Sequence, residues 1–401
     1  MMQAMRHAAI RSTPARRSPS IAIGILLIAG CLGACPLAAK TLRFASGFDP
    51  QSLDPHALAL QYQTRVVSQI YESLVFRDRN FTMAPALAVS WQQLGPERWR
   101  FKLRPGVKFH DGVPFTADDV VFSTKAVLNM ANNEVSREGW NLITKIDEPD
   151  KYTVVYHLKK KYAAYAGSYF GSAGANPCVL PVHLLGKLPN INNAPYNALP
   201  VGIGPFKYAS WKRSDSVTMV PDPLYFRGKP KLQKILFKIV PDRNTVTTQL
   251  ETHEIDLWTP VAAAFYDRVK AIPGVAVKKQ PSYTFNHLDF QNQHPGLDDP
   301  RVRRALRMGI DRQEIVQKIR HGIGIVQDDP VSPANPAFDK AVPTDPFDLA
   351  AAAKLLDEAG WKPGPDGIRA KNGHAMNYVF ASTSGTPDAD STIELIRANW
   401  K

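Results

Sequence analysis

The stretch APALAVSWQQLGPERWRFKLRPGVKFHDGVPFTADDVVFSTKAV, Ala84 to Val127, decides how the rest of the chain is read. Within it, Arg98-Trp99-Arg100-Phe101-Lys102-Leu103 alternates charged and apolar residues, which puts Trp99, Phe101 and Leu103 on one face of a strand. His110-Asp111-Gly112 is a turn signal, and His110 there reads as a surface residue. Thr116-Ala117-Asp118-Asp119 sets a helix start. The Thr116 hydroxyl can accept a first-turn amide while Asp119 reaches back, a capping box ahead of an apolar helix over 120–130. Adjacent helix residues diverge by about 100°, so capping accounts for Asp118 and Asp119 better than paired acid–base catalysis does.

Outward from this block, Thr41 to Ser46 alternates like a strand and Gly47 to Pro55 reads as a loop. Val66, Val67, Ile70, Tyr71, Leu74 and Val75 recur at helical spacing. Further strands are predicted over 152–158, 216–220, 232–240, 285–290 and 378–381. Asp299-Pro300 starts a helix with Asp as N-cap and Pro in the first turn, burying Val302, Ala305, Leu306 and Ile310. Asp311 and Glu314 cap another, a third over 349–359 stops at Gly360, and the segment from Pro387 is helical with Ile393, Ile396 and Trp400 on one face. Strands interleaved with helices predict an α/β fold.

The chain has 401 residues, 44% of them hydrophobic and 21% charged, enough for two or three domains with a large core. Its formal charge is +13. Without a long Lys/Arg run or aromatic–basic alternation, this is a solvated basic surface and not a nucleic-acid site. Four of those charges, Arg6, Arg11, Arg16 and Arg17, precede the apolar run Ile21 to Gly30, which is too short to span a bilayer comfortably. Residues 1–39 therefore read as an export signal. Leu37-Ala38-Ala39 offers a cleavage site before Lys40, while Ile28-Ala29-Gly30-Cys31 offers a lipobox that would anchor the protein through Cys31. Cleavage at Lys40 leaves Cys178 alone, without a disulfide partner and expected to be buried and inert.

The opening block closely resembles the signature of the peptide/nickel-type solute-binding proteins of bacterial ABC importers. Three more blocks agree in order: Val201 to Trp211 (VGIGPFKYASW), running on to Glu254-Ile255-Asp256-Leu257; Leu297 to Lys318 (LDDPRVRRALRMGIDRQEIVQK); and Ala350 to Trp361 (AAAKLLDEAGW). The resemblance implies a two-lobed flytrap fold. Residues 40–83 and 200–275 would form lobe I, 84–199 an extra subdomain on it, and 276–401 a second lobe, incomplete because the family's return to lobe I is missing. It further implies a periplasmic monomer that captures oligopeptide- or dipeptide-like ligands and delivers them to an inner-membrane permease and ATPase, with no cofactor.

By the same resemblance, ligand-facing positions fall at Gly47, Phe48 and Asp49, at Tyr283, Asn286 and His287, and at Thr383 and Ser384. Asp49 would face a peptide amine, or else serve the turn beside Pro50. Thr383 stands where dipeptide binders carry a carboxylate-pairing arginine, so that clamp is absent; this counts against free dipeptides and leaves longer or blocked peptides open. A nickel-chelate or haem binder of the same superfamily is the nearest alternative. Ten histidines occur, but none has HxxxH-type metal-ligand spacing. A secreted hydrolase is more distant: Gly171-Ser172-Ala173-Gly174 lacks nucleophile-elbow spacing, and Gly202-Ile203-Gly204-Pro205 is a crossover segment, not a dinucleotide loop.

Overall fold

The computed structural model describes residues 40–401, apart from 58–59, 79, 81, 135–136, 171–177, 281–284, 334, 336–337 and 383–386. The expected export signal, Cys31 included, lies outside the described residues.

A five-stranded sheet runs in the order Leu257–Trp258, Thr41–Ser46, Lys234–Ile239, Ser216–Pro221, Phe206–Lys212. Thr41–Ser46 is parallel to both of its neighbours, with Phe44 opposite Phe237 on one side and Leu257 on the other. The remaining pairs are antiparallel. Helix Gln61–Ile70 buries Val66, Val67 and Ile70 in a core with Phe44, Phe206, Val217 and Phe237. Ala45, Val246, Leu250, Ile255 and Val269 fill a separate core, packed with helices Arg243–Glu251 and Tyr266–Lys270.

The block Ala84 to Val127 supplies two strands of an antiparallel sheet that runs Ala88–Gly95, Arg98–Leu103, Thr153–Leu158, Ile143–Asp150. Trp99, Phe101 and Leu103 are buried as the alternation requires, and Phe101 meets Tyr156 edge-on at 5.7 Å. Full burial of such a ring is worth about 1.5–3 kcal/mol. Helix Ala117–Leu128 packs on this core with the expected capping box: Asp119 accepts the Thr116 amide at 2.9 Å. Its other carboxylate oxygen accepts the Val182 amide at 3.1 Å, so one side chain both starts the helix and holds a distant segment. Further along the chain, Leu180, Leu185, Ile191 and Tyr196 join the core of Phe44 and Phe237 instead.

In the C-terminal part, helix Pro300–Met308 is N-capped by Asp299 and packs on helix Leu349–Glu358 through Val302, Ala305, Leu306, Ala352 and Leu356. Helix Pro387–Asn399 delivers Trp400, whose indole N–H donates to the Leu306 carbonyl at 3.0 Å. The helix expected after Asp311 is a short turn, Arg312–Glu314, that widens into a π-helical turn over Ile315–Ile319.

Two strand expectations are corrected. Phe285 to Phe290 and Tyr378 to Ala381 carry no regular secondary structure, and Val379 is 97% exposed. An alternating pattern becomes a strand only where a neighbouring strand takes up its amides and carbonyls, and among the described residues neither segment has one.

Candidate functional site

The parallel strands Thr41–Ser46, Lys234–Ile239 and Leu257–Trp258 present their carboxyl ends along one edge. In open α/β sheets that edge is where ligands are taken up. The chain leaves the first strand through Gly47-Phe48-Asp49-Pro50. Ser46 Oγ donates to the Phe48 carbonyl at 2.8 Å, which folds the loop back on the strand end. Nothing lies within 4 Å of the point where Gly47 would carry a Cβ, so its backbone faces open space.

Phe48 is 65% exposed and stacks at 5.1 Å on Tyr62 in the first turn of helix Gln61–Ile70. Arg65, one turn further along that helix, donates Nη1–H to the Thr259 carbonyl at 2.8 Å. Because Ala45 pairs with Trp258, Thr259 flanks the strand end just before Gly47. Asp49 turns to the other side: its carboxylate accepts Trp211 Nε1–H at 2.7 Å and the Ser214 amide at 2.9 Å. The Arg213 guanidinium covers the Trp211 ring, 3.4 Å from its centroid, and donates to the Pro50 carbonyl. The edge thus offers loop backbone, an apolar ring pair and a cation. Each Asp49 oxygen accepts one hydrogen bond from the hairpin.

Of the other expected positions, Asn286 and His287 are exposed. His287 Nε2 pairs with Asp289 at 3.2 Å and its ring lies against Phe285. These residues precede Phe290 of the C-terminal core, and among the described residues no hydrogen bond joins them to the Gly47 loop. Tyr283, Thr383 and Ser384 lie outside the described residues. Sequence reasoning missed Tyr62, Arg65, Trp211, Arg213 and Thr259. The i, i+3 spacing of Tyr62 and Arg65 was the one local signal; the rest meet the loop only through tertiary structure.

His110 is also corrected. It is no surface residue but a spacer between segments: Nε2–H donates to the Gly204 carbonyl at 2.9 Å while Nδ1 accepts the Gly202 amide at 3.3 Å. That pattern requires a neutral imidazole, and burial lowers its pKa in the same direction. Gly202 and Gly204 are needed for close approach, since a Cβ at either would fall on backbone carbonyls of Gln69 and Ile70.

His56, buried, bonds the Cys178 carbonyl at 3.0 Å, and its amide donates to Asp54. Burial pushes the Cys178 thiol up to about 12, far from the thiolate a nucleophile needs. Among the described residues no three His, Cys, Asp or Glu side chains are grouped to hold a metal ion, and no helix is long and apolar enough to cross a membrane. The motif Gly171 to Gly174 lies outside the described residues.

The α/β fold, with its parallel strands ending along one edge, is of the flytrap class. The chain belongs to the bacterial extracellular solute-binding proteins of family 5, whose middle-region model matches residues 82–401. It is 30% identical to Protein XP55 of Streptomyces lividans, over 87% of this chain and 62% of that protein. It is 28% identical to the oligopeptide-binding protein AppA of Bacillus subtilis, over 84% of this chain and 63% of that one. The chain therefore spans less than two thirds of the length of either relative. The structure of AppA in complex with a nonapeptide superposes with TM-score 0.77, at 26% identity, over 90% of this chain and 72% of that one. NikZ from Campylobacter jejuni in complex with Ni(L-His) gives 0.72, at 28% identity, over 84% and 66%.

Proposed function

We propose that this protein is the extracytoplasmic binding component of an ABC importer, which captures a peptide-like ligand between two lobes and hands it intact to a membrane permease and its ATPase. The observation that carries this reading is the open backbone at Gly47, on the carboxyl edge of the parallel strands. A peptide main chain can pair there as an added strand, which gives affinity independent of its side chains. The similarity to AppA, solved with a nonapeptide, supports the same ligand class.

In this reading Gly47, Phe48 and Asp49 belong to lobe I, formed by 40–83 and 200–275 with 84–199 as its extra subdomain. Tyr283, Asn286, His287, Thr383 and Ser384 face them from 276–401. The division is supported by the cores: three draw on residues between Phe44 and Val277, and two on residues between Phe290 and Trp400. Asp49 shapes the loop, each of its oxygens accepting one hydrogen bond from the hairpin, and the acceptor capacity left on them is open to a ligand amine. The protein works outside the cytoplasmic membrane as a monomer and breaks no bond in its ligand.

Ligand that binds only the folded state stabilises it, by about 2.7 kcal/mol at a hundredfold excess over Kd. Thermal-shift screening with random tri- to nonapeptide pools should raise Tm, and mass spectrometry should return the peptides uncleaved. Cleaved peptides would make it an enzyme. Similarity to NikZ with Ni(L-His) favours a second reading, a metal-chelate binder; a Tm rise with nickel–histidine and none with peptides would select it.

A further inference from the structure

We propose that Arg65 is the specificity-determining residue of the lobe I edge, holding a carboxylate of the bound ligand. The inference rests on the peptide-binding reading above and deepens it.

A guanidinium has five N–H donors in a rigid fork suited to a carboxylate. Arg65 gives one of them, on Nη1, to the Thr259 carbonyl. Its guanidinium carbon lies 5.7 Å from the Phe44 ring centroid, against the core. Among the described residues no carboxylate comes within ion-pairing distance of it. Two other arginines of this lobe are neutralised in place, Arg43 by Asp256 at 2.7 Å and Arg227 by Glu72 at 3.5 Å, while Arg213 is spent on the Trp211 ring and the Pro50 carbonyl. Burial alone lowers the Arg65 pKa, with no neighbouring acid acting against it. Holding a charge partly out of water without a counter-ion is costly. The cost is offset when an arriving anion supplies the missing partner.

The position suits that role. Arg65 reaches Thr259 beside the end of Thr41–Ser46, where the open Gly47 backbone begins. Tyr62, one helical turn away, carries the exposed Phe48 ring. A ligand laid along this edge would put its main chain on the loop, an apolar side chain on the Phe48–Tyr62 rings and a carboxylate on the remaining Arg65 donors. That carboxylate is either the peptide's C-terminus or an acidic side chain, and the chemistry at Arg65 is the same.

The test titrates purified protein with peptide pools of matched composition in four forms: free acid or C-terminal amide, each with Glu or with Gln. The wild type should bind at least one carboxylate-bearing form about tenfold or more tightly than the amidated Gln form, as expected for a charge-assisted fork. Loss of preference on amidation assigns the C-terminus; loss on Glu-to-Gln exchange assigns the side chain. Arg65→Gln, which keeps a donor for Thr259, should bind all four forms within about twofold of one another. Arg65→Lys keeps the charge without the fork and should discriminate to an intermediate degree; it decides the matter if the Gln variant does not fold. Arg65 variants that keep the full wild-type preference, or a wild type that binds all four forms equally, overturn the proposal and leave the peptide reading intact. A wild type that binds none of the four fails the peptide reading first, and the proposal with it.

Discussion

Asp49 and Trp211 are joined by a 2.7 Å hydrogen bond across 162 residues of sequence. The carboxylate's other oxygen takes the Ser214 amide, so one side chain clips the loop after the first strand to the hairpin between Phe206–Lys212 and Ser216–Pro221. Asp49→Ala leaves both donors without their acceptor and should destabilise the protein by about 1–3 kcal/mol, with Asp49→Asn costing less because one acceptor oxygen remains. Urea unfolding followed by tryptophan fluorescence measures both. Equal stability of Asp49→Ala and wild type would mean that the clip does not hold the loop.

His110 makes stability depend on pH. Its folded pKa lies below the unfolded value, near 6.5, because burial and the Gly202 amide favour the neutral ring. The unfolded state therefore binds the proton more readily. The contribution is fully present above about pH 6.5 and is lost as pH falls through the folded value. His56 is shifted the same way by burial, so it adds to the slope. Between pH 7.5 and pH 5, Tm of His110→Gln should fall less than that of the wild type. Parallel curves would remove His110 as a contributor.

Gly202→Ala should be among the most damaging single-methyl additions in the chain. The new Cβ meets the Ile70 carbonyl, and backbone on both sides cannot yield as a flexible side chain would. The cost should reach the upper part of the roughly 1–3 kcal/mol typical of overpacking. Gly106→Ala, where the added Cβ meets nothing but φ is +75°, should cost less. Chemical denaturation of the pair tests the ranking.

Asp119→Ala should cost more than Thr116→Ala. Losing the Thr116 hydroxyl removes a cap worth about 1 kcal/mol. Losing the Asp119 carboxylate frees the Thr116 amide and also the Val182 amide, which lies 63 residues away in sequence. Equal losses would show that the Val182 contact adds nothing.

The sequence by itself determined what depends on neighbours along the chain. The capping box at Thr116, the Asp299 N-cap, the buried face of Trp99, Phe101 and Leu103 and the loop at Gly47 follow from dihedral preference, short-range hydrogen bonding and periodicity, all acting within a few residues. Only the tertiary structure decided what depends on partners from elsewhere. It withheld a strand from Phe285 to Phe290, drew His110 in between Gly202 and Gly204, gave Asp49 to Trp211 and Ser214, and set Arg65 beside Thr259 with no acid among the described residues to meet it. A ladder, a buried hydrogen bond or an unneutralised charge exists only once two distant segments are side by side, and the residues on either segment carry no record of that meeting.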